Sequence, residues 1–147
     1  MKKKSKVVIA VFAIVLFASL VLAICSKTSS KAEPPAIPQA ESISYISITD
    51  SEMPQKSILI KDKDDIEIIV STITNGSKKT KKNSVNDQPV NCAKYYTFSF
   101  CSDDDSDSSQ SFFYLYTKHG RHYIESPYLG IWRISGKNYK NCISFYK

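Results

Sequence analysis

The chain has 147 residues, with 20 Lys and Arg against 14 Asp and Glu, a formal net charge of +6. Lys2, Lys3, Lys4 and Lys6 account for most of that excess; from Ser26 onward 16 cations face 14 acids, leaving +2. So small a balance, without a helix-turn-helix, zinc-finger or RNP pattern, argues against a nucleic-acid partner.

The N-terminal lysines precede an apolar run, residues 7–25, whose only polar member is Ser19. At ~1.5 Å per residue such a helix is about 28 Å long, close to a hydrocarbon core of about 30 Å. Cationic flanks resist translocation, so residues 1–25 are expected to hold the chain in the membrane, single-pass, with the remainder outside. Two other fates compete. Cleavage after Ala23, with Val21 at −3, would make 1–25 a signal peptide and secrete the rest. Leu22-Ala23-Ile24-Cys25 resembles a lipobox, which would make a lipoprotein at Cys25, although Ile24 stands where that pattern has a small residue.

Residues 26–41 are rich in Ser, Ala and Pro and have no apolar period, so they read as a disordered linker. The remaining 42–147 suffice for one extracytoplasmic domain. Strand signals dominate it. Residues 43–49 (ISYISIT) and 58–60 (ILI) are short apolar runs. In 94–101 (KYYTFSFC), Tyr96, Phe98 and Phe100 share one face, and Tyr95, Thr97 and Ser99 the other. Residues 111–118, 121–125 and 131–134 follow at short spacing, with His119-Gly120 as a tight hairpin turn. Residues 142–146 (CISFY) read as a last strand. One segment departs from this pattern. After Asp62, an N-cap, Ile66, Ile69, Val70 and Ile73 fall at helical spacing, and Asn75-Gly76 is a stop. The expected fold is therefore α+β: a small antiparallel sheet of about five to seven strands with one amphipathic helix on a face, preceded by the N-terminal transmembrane or signal helix.

Residues 80–89 (TKKNSVNDQP) and 123–132 (YIESPYLGIW) resemble paired signatures of an uncharacterised family of small exported, membrane-anchored proteins of Gram-positive bacteria, classed as a domain of unknown function. The resemblance spans most of 42–134. It implies an N-terminal membrane segment and a small α+β domain, and no known activity.

Candidate functional residues fall in those two stretches or just before the first. Lys78, Lys79, Lys81 and Lys82 lead into a turn-rich segment containing Asn86 and Asp87, whose side chains suit local backbone bonding. The lysines offer contacts to an anionic cell-wall ligand or acidic partner. Tyr128, between Pro127 and Gly130, and Trp132 are candidates for an aromatic platform for a sugar or peptide. Asp103, Asp105 and Asp107 have the spacing that opens calcium loops, but Ser108 and Tyr114 replace the Gly and Glu that an EF-hand requires, so no metal or cofactor is expected. His119 and His122 find no third ligand. In the outer compartment Cys142 is expected to pair with Cys92 or Cys101, with all three reduced as the alternative; the latter two flank one strand, too far apart to bridge each other.

The function expected is a non-catalytic binding module at the cell envelope, contacting a protein, peptide or wall ligand through the loops near Lys78–Asp87 and Tyr128. The alternatives are a cell-wall hydrolase using Glu125 with His122, and an immunity or inhibitor protein.

Overall fold

Alternation of apolar and polar side chains fixes which way each strand faces, and the strands assemble accordingly. The computed structural model describes residues 33–102 and 111–147, all within one unit, Glu33–Lys147. The apolar run 7–25, the first part of the proposed linker and the aspartates 103–107 lie outside the described residues. Among the described residues no helix is long and apolar enough to cross a membrane.

The elements are β1 (Tyr45–Asp50), β2 (Met53–Ile60), α1 (Lys63–Gly76), β3 (Ser77–Lys79), β4 (Tyr95–Cys101), β5 (Ser111–Lys118), β6 (Arg121–Ser126), β7 (Gly130–Ile134) and α2 (Gly136–Ile143). They form one antiparallel sheet of seven strands in the order β2-β1-β4-β5-β6-β7-β3. The α+β class holds, with two helices rather than one.

One sheet face is apolar and meets the helices. Ile48 lies opposite Phe98, Phe98 opposite Phe113, Leu115 opposite Ile124, and Ile124 opposite Trp132. All of these are buried, and the Phe98 and Phe113 rings stack at 5.0 Å. Helix α1 begins as its sequence demands: the Asp62 carboxylate accepts the free N–H groups of Asp64 and Asp65. Ile66, Ile69, Val70 and Ile73 are its buried stripe. It ends at Gly76 as expected, with Ser77 extended at φ −111°, and a Cβ at Gly76 would displace only the Asn138 side-chain amide of α2.

The β5–β6 turn is as expected, with both His119 (φ 50°) and Gly120 (φ 69°) left-handed.

Three expectations are corrected. Residues 142–146 are not a strand: Ser135 caps Asn138 N–H, and α2 runs to Ile143. Tyr139, Cys142, Ile143 and Tyr146 recur at i, i+3, i+4 and i+7 and pack on the core, so the polar residues ahead of them masked a helical stripe. Nor is the linker free throughout 26–41. Ile37 and Ala40 lie against the core, and Glu33 accepts the Trp132 indole N–H through its backbone oxygen at 2.7 Å. Finally, Cys142 stands as a free thiol buried on the inner face of α2, so neither expected pairing to it is made. Burial pushes that thiol up to about 12.

At the β1–β2 turn, Asp50 is fully buried and accepts the Glu52 N–H at 2.9 Å while Lys94 stands 2.6 Å from its other oxygen. Burial alone would raise the Asp50 carboxyl; the Lys94 ammonium and the Glu52 N–H outweigh it and hold it below the ordinary 3.8. Lys94 is pushed up from 10.5, by Asp50 first and Glu52 second. A depressed acid stabilises the fold above its unfolded value and loses that contribution as pH falls through the folded one. A raised base does the reverse on the alkaline side. Stability is therefore expected to hold from about pH 4 to about pH 10 and to fall outside that window. Lys94→Met, which strands a buried carboxylate, should cost about 2 kcal/mol near neutrality, and Asp50→Asn added to it should restore part of the loss. Urea denaturation of the three variants across pH measures both effects.

Candidate functional site

The other sheet face is aromatic and polar. Tyr95, Tyr116 and Tyr123 lie side by side across β4, β5 and β6, with Tyr114 opposite Glu125 one step along. The connection from Thr80 to Lys94 folds down onto this face. Thr80 donates both its N–H and its hydroxyl to Ile131 O, each at 2.8 Å. The Tyr114 hydroxyl donates to Asp87 O at 2.8 Å, Tyr95 to Gln88 Oε1 at 3.0 Å, and Lys118 to Val90 O at 3.0 Å.

Glu125 is at the centre, 5% exposed. Ser84 of the connection donates to Oε1 and Tyr116 to Oε2, each at 2.8 Å. Two neutral hydroxyls thus hold the carboxylate, and burial followed by the bond to Glu125 pushes the Tyr116 phenol upward. Burial likewise raises Cys92, opposed by Lys118 and reinforced by Glu125. Beside this cluster a cavity of about 240 Å³ is lined by Lys82, Asn83, Asn86, Tyr116, Lys118, Tyr123 and Glu125, with Val85, Val90 and Ile131 as its apolar wall. A carboxylate accepts about four hydrogen bonds, so Glu125 keeps capacity for a ligand.

The expected site residues are only partly brought together. Lys82, which lies 6.0 Å from the Tyr123 ring centre, and Asn86 line the cavity. Asp87 and Tyr128 brace it: the Tyr128 hydroxyl donates to Asp87 Oδ1 at 2.5 Å. Tyr128 follows Pro127 in a turn closed by Leu129 N–H to Ser126 O, and it has φ 62°. Glycine is the ordinary residue there, and a bulky one costs about 1–2 kcal/mol, so the Tyr128 ring is held exposed at the expense of strain.

Lys79 is committed elsewhere, paired with Glu33 at 2.9 Å and 5.5 Å from the Trp132 ring centre. Lys81 is exposed, and Lys78 lies across from Arg133 on the edge strand β3. Trp132 does not join Tyr128 in an exposed platform. It is 2% exposed, on the helix side of β7 with Ile124 opposite it, because it shares the parity of Ile134. His122 and Glu125 also diverge. They stand three apart on one strand and so face opposite ways, His122 bonding Thr117 at 2.8 Å and stacking on Tyr139 at 4.3 Å.

Sequence reasoning missed Ser84 and Tyr116 as partners of Glu125. They lie 41 and 9 residues away, Tyr116 brought in by strand pairing and Ser84 by the fold of the connection onto the sheet.

Glu125→Ala should leave the Ser84 and Tyr116 hydroxyls without an acceptor, lower stability by about 2–3 kcal/mol, and loosen the connection that carries Cys92. Alkylation of Cys92, followed by mass spectrometry with buried Cys142 as the slow internal reference, is expected to accelerate. Tyr128→Phe should give a smaller acceleration in the same assay.

A family model, DUF5301, described as "Domain of unknown function (DUF5300)", matches residues 31–133. No curated protein matches the chain. Among solved structures, the "NMR structure of the protein from Ruminococcus gnavus" is similar at TM-score 0.54 and 29% identity, covering 69% of this chain and 91% of that one.

Proposed function

We propose that this chain, which belongs to the DUF5301 family of domains of unknown function, is a non-catalytic binding module held at the cell envelope. The observation that carries the reading is the cavity beside Glu125. A buried carboxylate forms part of its lining, Lys82 and Lys118 add cationic groups, and the braced 80–94 connection flanks it. Such a lining suits a small polar ligand that carries hydrogen-bond donors together with an anionic group. A cell-wall fragment or peptide terminus at the envelope meets that description. The apolar run 7–25 and its lysine flank support the tether.

Hydrolysis by Glu125 with His122 is disfavoured, because the two face opposite sides of the sheet and each is engaged by its own hydroxyl partner. A general acid and base must reach the same bond.

A soluble sugar–peptide fragment of cell wall, titrated into the full chain in neutral detergent, is expected to shift the backbone resonances of Asn83, Asn86 and Tyr123. Glu125→Gln and Lys82→Gln should each weaken binding about tenfold, the loss of one charge-assisted contact. Binding unchanged by both substitutions would remove the cavity as the site. The tether is tested separately: a phosphatase reporter that folds only outside the cytosol, fused after Lys147, should be active and membrane-bound, and inactivity contradicts it.

A further inference from the structure

We propose a second binding site, for a phosphate oxyanion, in the cleft at the rim of the sheet where β6 begins and β7 ends. This cleft, about 470 Å³, is lined by Lys78, Arg121, His122, Arg133 and the start of α2 at Ser135 and Gly136. Three strands supply its cations. Lys78 of β3 lies directly opposite Arg133 of β7, and Arg133 opposite Tyr123 of β6. Arg121, two residues before Tyr123, stands on the same side of that strand. Directly opposed side chains in a sheet have Cβ atoms about 5 Å apart and diagonal ones about 7–8 Å. Long Lys and Arg side chains so spaced reach a common point.

Their isolation is the second observation. Among the described residues the salt bridges involve only Lys79 and Lys94 as cations, and no hydrogen bond engages the side chains of Lys78, Arg121 or Arg133. Like charges placed opposite one another disfavour strand pairing. Neighbouring lysines are by contrast satisfied: Lys79 by Glu33 and Lys118 by Val90 O. The fold thus keeps three mutually repelling cations around one open cleft, a cost that an anion would relieve.

The lining selects the kind of anion. Two guanidinium forks and one ammonium present more donors than the two oxygens of a carboxylate accept, and a phosphate group offers three or four. The positive end of α2 adds to the same field. His122 supplies a wall rather than a free donor pair, its Nδ1 being engaged by Thr117 and its ring lying on Tyr139. The cleft is open to solvent, leaving room for whatever the phosphate is attached to.

This site is separate from the cavity beside Glu125, and the two have no lining residue in common. The test is a titration of the full chain, in neutral detergent, with sodium phosphate against sodium chloride at matched ionic strength, read by backbone resonances. Phosphate should shift Lys78, Gly120, Arg121, Arg133 and Gly136, and chloride should not. Arg121→Gln and Arg133→Gln should each weaken phosphate binding at least tenfold, Arg133→Lys less, and Lys61→Gln not at all. Unchanged dispersion of the amide spectrum shows that each variant is folded. Competition by soluble glycerol phosphate would identify a free or polymeric ester as the source. Competition only by phosphatidylglycerol doped into the micelles would identify a lipid headgroup. Equal shifts with chloride, or full affinity in the doubly substituted Arg121→Gln/Arg133→Gln protein, overturn the proposal.

Discussion

A buried carboxylate held by two hydroxyls organises the less apolar half of this molecule. A sheet has two faces, and the helices of this chain cover one of them with a continuous apolar layer. The opposite face is tiled with tyrosines, and the segment laid across it, residues 80–94, is largely polar and has no regular structure. Such a segment gains little from hydrophobic burial and must be held by specific bonds. Glu125 supplies the central one. Ser84 joins it from above and Tyr116 from the neighbouring strand, so connection, β5 and β6 meet at a single group.

That arrangement explains why pocket and loop belong together. Two tyrosines on this face pack ring to ring and send their hydroxyls to the connection: Tyr95 meets Tyr114 edge-on at 5.1 Å, and their hydroxyls reach Gln88 and Asp87. These hydroxyl bonds tie the connection to the sheet through the far ends of long side chains, so it rests at a distance set by side-chain length. The space left between becomes the cavity. The strained Tyr128 turn fits this account, since its hydroxyl bond to Asp87 fixes the far corner of the connection.

What could be read in advance was whatever rests on local period. The alternation in β4 placed Tyr96, Phe98 and Phe100 on one side, and the spacing of four apolar residues with the Asp62 cap located α1. Strand β3 was not legible. Ser77, Lys78 and Lys79 carry no strand signal and are a strand only because β7 lies beside them. The side of Trp132 follows from parity rather than from its chemistry: with Ile134 pointing inward, Trp132 must do so as well. Helix α2 has its period, but the β-branched and aromatic residues at its end carry a β propensity that masks the Ser135 cap. Glu125 looked like a lone carboxylate because the groups that bind it arrive through long-range pairing.

The same distinction separates the two sites. Lysines 78 to 82 form one run in the sequence, yet strand geometry distributes them among three surroundings. Lys79 turns to Glu33 and Trp132 on the helix side, Lys78 turns the other way toward Arg133, and Lys82, beyond the strand, reaches over Tyr123. A charge run in a flexible loop would act as one diffuse patch, screened over roughly 8–10 Å at physiological salt. Anchoring its first members in a paired strand converts it into discrete positions, each with its own neighbours. Arg121 and Arg133, unremarkable in the sequence, gain meaning only from that pairing, because β3 sets Lys78 beside Arg133 and β6 aligns Arg121 with them. The edge strand is thus what turns scattered cations into a recess of defined shape.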